Sequence, residues 1–301
     1  MARVAFLFPG QGAQTVGMAR DLCASLPQAN RLFAEASEQL GYDLLDVCVN
    51  GPAERLNSTV VSQPALFVAS LAALESLKQT NPQVVAECDA TAGLSLGEFT
   101  ALTFAGALTF QEGLRLVQRR GEAMQAAADR TPSGMVGVLT MERTKVEELC
   151  AATRQNEVLR IANFLCPGNY AVSGHLTACA RLETLVAEAG GRTVRLAVAG
   201  AFHTPLMQPA DEAMAEVFAS VPLTAPRLQV WSNVTAQPHG HPDDIRVLLR
   251  RQLTESVRWE ETMRHLLAAG CERFYEIGPG RVLAGLLKRV QRKVDCQNVS
   301  A

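Results

Sequence analysis

Residues 93–97 read Gly-Leu-Ser-Leu-Gly, a G-x-S-x-G pentapeptide between a short apolar run, Ala90 to Gly93, and a helical segment, Glu98 to Ala105. Two glycines in this context permit a sharp strand-to-helix turn, which exposes the hydroxyl of Ser95 at the carboxyl edge of a sheet. A helix amino terminus then lies behind it, an arrangement that suits a nucleophile. A glycine-rich helix start with Ser95 as its N-cap fits the pentapeptide equally well.

Strand-like runs and helix-period segments alternate on both sides of this turn. Their order predicts a mostly parallel sheet covered by helices, which the later part of the chain is expected to rejoin. The predicted strands are Val4 to Phe8, Ala90 to Gly93, Leu228 to Ser232 and Arg273 to Ile277, and the predicted helices include Gln28 to Leu40, Gln63 to Gln79 and Gln111 to Ala128.

A middle segment has a different order of elements, β-α-β-β-α-β, which is that of a ferredoxin-like unit. We therefore expect a main α/β domain from residues 1–130 and 199–301, and an inserted ferredoxin-like α+β subdomain from residues 131–198. Residues 293–301 are expected to fray. The elements predicted in the insertion are Met135 to Thr140, Arg143 to Gln155, Val158 to Phe164, Asn169 to Gly174, Leu176 to Ala189 and Arg192 to Val198.

Composition excludes several functional classes. The 301 residues carry 28 Lys+Arg against 30 Asp+Glu, a net charge of -2, so neither a nucleic-acid partner nor a membrane surface is indicated. The apolar run after Met1-Ala2-Arg3 is too short for an export signal, and no uninterrupted apolar stretch approaches the roughly 20 residues of a membrane span. Eight dispersed cysteines without a C-x-x-C pair predict reduced thiols, no metal site and a cytoplasmic protein.

A serine nucleophile needs a base, and five histidines are available. His203 lies in Gly-Ala-Phe-His-Thr-Pro, where the insertion returns to the main domain and a cleft is expected. Taken alone, His203 would more often be a satisfied turn histidine than a base. The other four are predicted to lie at turns or to be solvated or packed: His175, His239, His241 and His265.

Residues 9–14 read Pro-Gly-Gln-Gly-Ala-Gln and follow the first predicted strand. Glycines at this place let backbone N–H groups face a ligand, as an oxyanion hole or a phosphate cradle requires. The loop lacks the Gly-Lys-Ser/Thr of a Walker A motif and the G-x-G-x-x-G spacing of a dinucleotide site. A plain turn would be favoured if nothing else in the chain matched.

Taken together, the motifs resemble malonyl-CoA:acyl carrier protein transacylases over almost the whole chain, from Val4 to about Arg292. Each motif is weak alone, but six in the same order at fitting distances are specific. They are Pro9-Gly-Gln-Gly-Ala-Gln14, Gly93-Leu-Ser-Leu-Gly-Glu98, Gln118-Arg-Arg-Gly121, Ala201-Phe-His203, Gln252 ahead of Val257-Arg-Trp259, and Glu276-Ile-Gly-Pro-Gly280.

The resemblance implies a hydrolase-like α/β core with a ferredoxin-like insertion and a site in the cleft between them. By position, Ser95 matches the nucleophile of the family and His203 its base. Gln11 and Leu96 match the residues whose backbone N–H groups form the oxyanion hole. Gln252 matches the residue whose main-chain carbonyl orients the histidine.

The resemblance also implies the substrates, malonyl-CoA and acyl carrier protein, with no further cofactor and with fatty acid biosynthesis as the expected setting. Arg120 matches the arginine that pairs with the malonyl carboxylate, and Arg119 is then an outward neighbour. Without the flanking motifs, Arg120 would be assigned to the solvated face of an amphipathic helix. Asn163 and Phe202 match further substrate contacts, and the ring of Phe202 is expected to crowd a 2-methyl branch.

Two positions depart from the family pattern, because Leu94 stands where many members have His and Leu165 replaces a second Asn. Two other classes stay open: a serine hydrolase or thioesterase with the same turn, and a non-enzymatic carrier-docking module. The motifs do not separate fatty acid synthesis from a polyketide pathway or malonate decarboxylase loading.

Overall fold

The computed structural model describes residues 3–301, so Met1 and Ala2, the start of the predicted main domain, lie outside the described residues. Two sheets and fourteen α-helices are present in this range. The strands are β1 (Arg3–Phe8), β2 (Cys88–Gly93), β3 (Ser133–Leu139), β4 (Leu159–Cys166), β5 (Asn169–His175), β6 (Arg192–Arg195), β7 (Gln229–Trp231), β8 (Cys271–Ile277) and β9 (Asp295–Val299). The helices are α1 (Arg20–Ser25), α2 (Pro27–Leu40), α3 (Leu44–Asn50), α4 (Ala53–Asn57), α5 (Thr59–Thr80), α6 (Pro82–Ala86), α7 (Gly97–Phe104), α8 (Phe110–Arg130), α9 (Arg143–Arg154), α10 (Leu176–Glu188), α11 (Gln208–Ser220), α12 (Pro242–Thr254), α13 (Trp259–Ala268) and α14 (Val282–Val290).

The larger sheet has the strand order β7-β2-β1-β8-β9, and all its strands are parallel. Strand β1 lies at its centre, and every residue from Val4 to Phe8 is fully buried. A continuous apolar run is typical of a parallel strand that is covered by helices on both faces. Phe8 pairs with Gly93, so the chain leaves β1 and β2 at the same edge of the sheet. The predicted parallel α/β core is confirmed.

The carboxyl-terminal tail does not fray as predicted, because Asp295–Val299 forms the edge strand β9. It pairs in parallel with β8, from Arg273 opposite Asp295 to Ile277 opposite Val299. The sequence Asp-Cys-Gln-Asn-Val has no strong apolar alternation, and none of its residues is fully buried. Backbone pairing with β8 therefore fixes this strand, although its side chains do not predict one.

The smaller sheet is antiparallel, with the order β4-β5-β3-β6 that the predicted β-α-β-β-α-β sequence gives in a ferredoxin-like fold. Helices α9 and α10 cover it and share an apolar core with its strands. Strand β6 ends at Arg195, three residues before the predicted end. The sheet meets the main core where Val257 exchanges two backbone hydrogen bonds with Ala162 and Phe164. The boundaries at residues 131 and 198 stay a prediction.

Helix α5 is the central helix of the main core. Its length and apolar composition would suffice to cross a membrane, but most of it is packed inside the protein. Phe67 of this helix stacks on Phe110, and the ring also lies against Gly113 of α8. A helix that is apolar on all sides is expected in the core of a large domain, and that is where α5 lies.

The turn between β2 and α7 explains both glycines of the pentapeptide. A Cβ on Gly93 would lie 1.9 Å from the carbonyl carbon of Gly97, and a Cβ on Gly97 would lie 2.2 Å from the Phe8 oxygen. Ser95 itself has a φ of 51°, in the left-handed region. Helix α7 begins at Gly97 with Leu96 as N-cap and no side-chain cap, so the interpretation of Ser95 as an N-cap is wrong.

We expect Gly97→Ala to lower the free energy of unfolding by about 3 kcal/mol, because its Cβ would meet backbone that no side-chain rotation can relieve. Gly285→Ala in helix α14 is the matched control, since open space surrounds its added Cβ, and it should stabilise by about 0.5 to 1 kcal/mol. Urea unfolding measures both. Equal midpoints for the parent and Gly97→Ala would contradict the assignment.

Candidate active site

Ser95 and His203 meet at the carboxyl edge of the main sheet. The Ser95 Oγ lies 2.9 Å from the Nε2 atom of His203, although the two residues are 108 positions apart. His203 lies in the loop after the insertion, has a φ of 60°, and is only 3% exposed. The hydroxyl of the neighbouring Thr204 donates to the Ala201 carbonyl at 2.7 Å and fixes this loop. Two strained backbone positions thus face each other.

The imidazole of His203 is held in one tautomer. Its Nδ1 lies 2.7 Å from the main-chain oxygen of Gln252, an acceptor only, so Nδ1 carries the hydrogen. The Nε2 lone pair is therefore free to accept the hydrogen bond from the Ser95 hydroxyl. Burial, with a further contribution from the Arg120 charge, lowers the pKa of His203 to about 3, against the opposing effect of the Gln252 carbonyl. The ring is neutral at physiological pH.

Arg120 is the only arginine among the largest fully buried side chains of residues 3–301, so its assignment to a solvated helix face is wrong. One terminal nitrogen donates to Gln63 Oε1 at 2.7 Å, and the other donates to Ser95 Oγ at 3.0 Å and to Gln252 Oε1 at 2.8 Å. Burial lowers the pKa of Arg120 to about 10, opposed by the charge of Glu98, so the guanidinium stays charged at neutral pH. Arg119 faces outward and pairs with Glu122 at 2.8 Å.

The loop after β1 and the turn after β2 each bring one backbone donor to the same place. Within residues 3–301, the N–H groups of Gln11 and Leu96 donate to no protein acceptor, and both residues line the cleft around Ser95. A φ of 103° at Gly12 shapes this loop. Two free N–H groups beside a serine hydroxyl are the arrangement that stabilises a tetrahedral oxyanion.

The cleft is a cavity of about 270 Å³ between the two sheets. Asn163 lies in its wall, and its side-chain oxygen is buried without a hydrogen-bond partner in the described part of the chain. Phe202 also lines it and is 4% exposed. Leu94 and Leu165, the two departures from the family pattern, make their part of the wall apolar. The other apolar side chains in the wall are Pro9, Ala13, Leu96, Met124, Met135, Ala171, Leu196, Val198, Val282, Leu283 and Leu286.

Four buried polar residues at the site were not predicted from the sequence: Gln63, Glu98, Asn233 and His239. Asn233 accepts from the Ser95 N–H at 2.6 Å and donates to the Gly93 carbonyl at 2.8 Å. Its only sequence signal was its place directly after a predicted strand. His239 was expected to be solvated or packed, and it is packed against Glu98.

The remaining histidines lie outside the cleft. His175 precedes α10 and accepts from the Val158 N–H at 3.0 Å, and His265 donates to the Ala236 carbonyl at 2.7 Å. His241 is exposed at the start of α12. The structure therefore brings one of the five histidines to Ser95.

Comparison with known proteins gives the class of this arrangement. Residues 5–300 match the acyl transferase domain family, and the chain belongs to that family. Within it, the chain belongs with the malonyl-CoA:acyl carrier protein transacylases. It is 39% identical to the Escherichia coli transacylase of that name over 302 residues, covering 100% of this chain and 96% of the relative. It is 43% identical to the human mitochondrial transacylase, covering 94% and 75%. The crystal structure of the Xanthomonas oryzae transacylase superposes with a TM-score of 0.95 at 40% identity, covering 99% and 95%.

The lowered pKa of His203 predicts an acid-dependent loss of stability. Its imidazole takes up a proton near pH 6.5 in the unfolded chain but only near pH 3 in the folded protein, so acidification favours unfolding between these values. We expect this residue alone to reduce the free energy of unfolding by about 2 kcal/mol from pH 7 to pH 5. Urea unfolding of His203→Gln should give a correspondingly shallower pH dependence. The exposed His241→Gln is the control, and identical slopes for the parent and His203→Gln would refute the prediction.

Proposed function

We propose that this chain transfers a malonyl group from coenzyme A to the phosphopantetheine thiol of acyl carrier protein through an ester on Ser95. One observation carries the proposal: the Ser95 hydroxyl lies between a neutral imidazole that accepts its proton and a buried guanidinium that donates to the same oxygen. The transacylases to which the chain is similar are named for these two substrates.

The first half-reaction forms the acyl-enzyme. His203 Nε2 takes the proton as Ser95 Oγ bonds to the thioester carbon, and the oxyanion accepts from the N–H groups of Gln11 and Leu96. When the tetrahedral intermediate collapses, the carbon–sulfur bond breaks and the imidazolium returns the proton to the coenzyme A sulfur. A neutral malonyl-serine ester bond remains.

The second half-reaction repeats these steps in reverse with a different thiol. The carrier thiol gives its proton to His203 as sulfur attacks the ester, and the same proton returns to Ser95 Oγ when the ester bond breaks. The mostly apolar wall of the cleft limits the access of water, so transfer is favoured over hydrolysis. A thioesterase would need a well-placed water instead of the carrier thiol.

Arg120 supplies the preference for malonyl. A planar guanidinium holds a carboxylate with two charge-assisted hydrogen bonds, and the Nε atom of Arg120 is buried without a partner in the described structure. Because one terminal nitrogen already contacts Ser95 Oγ, a carboxylate on a short acyl group at that oxygen comes within its reach. Acetyl offers no such acceptor, so the buried positive charge gains no anionic partner from it. Asn163 and Phe202 are proposed to contact the same substrate.

We place the reaction in fatty acid biosynthesis and the protein in the cytoplasm, with the inserted subdomain bounded by residues 131 and 198. Eight unpaired cysteines support a reducing compartment. The relatives include both bacterial and mitochondrial transacylases, so the cytoplasmic location rests on the cysteines and not on the relatives. The smaller sheet and its separate apolar core support the domain boundaries.

Intact mass after incubation with malonyl-CoA tests the acyl-enzyme. We expect a malonyl adduct in the parent and none in Ser95→Ala. Arg120→Ala should reduce the malonyl-CoA to acetyl-CoA ratio of acylation rates at least about tenfold, because a buried charge-assisted pair contributes about 1.5 to 3 kcal/mol. Arg119→Ala, its outward neighbour, should retain the ratio of the parent.

The same adduct separates transfer from hydrolysis. Holo acyl carrier protein should discharge it rapidly, whereas buffer alone should discharge it slowly. Discharge by water at the rate seen with the carrier would identify a thioesterase and reject the proposal. An adduct that survives in Ser95→Ala would place the nucleophile elsewhere.

Phe202 predicts discrimination against a branched donor. Its buried ring faces the cavity beside His203, so a methyl group on the malonyl α-carbon has little room. We expect methylmalonyl-CoA to acylate the parent at least about tenfold more slowly than malonyl-CoA, since a misfit of one methyl in a pocket changes rates by about 10- to 200-fold. Phe202→Ala should narrow this difference. Comparable rates for both donors in the parent would reject the assignment.

A further inference from the structure

Glu98 and His239 form a buried pair that takes no direct part in the reaction described above. The Nε2 atom of His239 lies 2.7 Å from Glu98 Oε1, and their side chains are 0% and 1% exposed. Because the carboxylate can only accept, the Nε2 atom carries the hydrogen. A fully buried carboxylate is costly unless its oxygens are hydrogen-bonded. Glu98 lies directly after the turn that carries Ser95, so the burial of its carboxylate there needs a specific explanation.

The second carboxylate oxygen of Glu98 holds two residues that in turn hold Ser95. Oε2 accepts from the side-chain nitrogen of Gln252 at 2.6 Å and from the backbone N–H of Asn233 at 3.2 Å. The side-chain oxygen of Asn233 accepts from the Ser95 N–H at 2.6 Å, and the Gln252 side-chain nitrogen donates to the Ser95 carbonyl at 3.0 Å. Asn233 and Gln252 thus fix the two peptide groups of Ser95, and both residues donate a hydrogen bond to the same carboxylate of Glu98.

Gln252 also contacts the two other functional side chains. Its Oε1 accepts from Arg120 at 2.8 Å, and its main-chain oxygen lies 2.7 Å from His203 Nδ1. The carboxylate of Glu98 decides which way this amide points, because only the NH2 group can donate to it. If the amide turned over, its NH2 group would face the guanidinium of Arg120, donor against donor.

We propose that Glu98, held by His239, is a positioning residue that orients Gln252 and Asn233 and thereby sets the geometry of Ser95, Arg120 and His203. The proposal rests on the malonyl transfer inferred above. It assigns Glu98 no contact with the substrate. Its negative charge has a second effect, since it raises the pKa of Arg120 against the effect of burial and so helps the guanidinium keep its charge.

Glu98→Gln preserves the size of the side chain but replaces one acceptor oxygen by a donor that faces either Gln252 or His239. We expect the single-turnover rate of Ser95 malonylation to fall at least about tenfold, because the hydrogen bonds from Gln252 and Asn233 lose a charged acceptor, and bonds to a charged group are roughly twice as strong as neutral ones. The malonyl-CoA to acetyl-CoA ratio should fall at least about fivefold, because Arg120 loses its fixed orientation. A purely structural role would lower stability without changing this ratio.

Glu276→Gln is the matched control. Glu276 is equally buried, but its oxygens accept from the backbone N–H groups of Leu283 and Ala284 at the start of α14. We expect this variant to lose stability while its acyl preference stays within about twofold of the parent. An equal fall of the ratio in Glu98→Gln and Glu276→Gln would overturn the proposal.

A double-mutant cycle tests whether Glu98 acts through Gln252. Adding Glu98→Gln to Gln252→Ala should lower the acylation rate by a smaller factor than in the parent, because the Gln252 amide is already absent and only the contact with Asn233 is affected. Losses that multiply would overturn the proposed route. If Glu98→Gln does not fold, His239→Leu replaces it, since it removes the donor to Oε1; a ratio equal to that of the parent would then refute the inference.

The behaviour of the parent distinguishes a failure of the proposed malonyl transfer from a failure of the role proposed for Glu98. Failure of the parent to form the malonyl adduct would reject the proposed function itself. Normal adduct formation in the parent together with normal rate and preference in folded Glu98→Gln would reject only the positioning role.

Discussion

The close contact between the end of β1 and the β2–α7 turn is the constraint on which the site depends. Gly97 lies so near the Phe8 carbonyl that no side chain fits, and Leu94 donates to the same oxygen at 3.0 Å. This contact places two loops at one edge of the sheet: the loop that presents the Gln11 N–H and the turn that presents Ser95. Because parallel strands end at the same edge, the backbone alone brings Ser95 close to Gln11 and Leu96.

Strong local patterns predicted the parallel core, the ferredoxin-like insertion and the turn at Ser95. The apolar run of β1 and the paired glycines each have a direct structural cause. The edge strand β9 was missed because its side chains alternate weakly and backbone pairing with β8 fixes it. Local sequence therefore predicts those elements whose burial requires an apolar pattern, and it underestimates those held by the backbone alone.

The residues of the candidate site also fall into two groups, those that the sequence predicted and those that it did not. Ser95, His203 and Arg120 stood in recognisable motifs, and the structure brings their side chains into one hydrogen-bonded group. Asn233 and His239 stood in no such motif, and they contact residues 138 and 141 positions away. A polar residue that is buried through long-range contacts has the same sequence appearance as an exposed one, so only the three-dimensional structure reveals it.

Gln252 orients His203 through a neutral carbonyl group, and this choice explains how Arg120 stays the positively charged group at the site. A carboxylate beside Nδ1 would raise the pKa of the imidazole and would also attract the guanidinium of Arg120. The main-chain oxygen of Gln252 fixes the same tautomer without adding a charge. Burial and the nearby guanidinium then keep the imidazole neutral, whereas the higher intrinsic pKa of the guanidinium leaves it charged. Within residues 3–301, the only carboxylate hydrogen-bonded to Gln252 is that of Glu98, and Glu98 is not among the residues that line the cavity. A neutral imidazole and a charged guanidinium therefore coexist around one hydroxyl, as the proposed malonyl transfer requires.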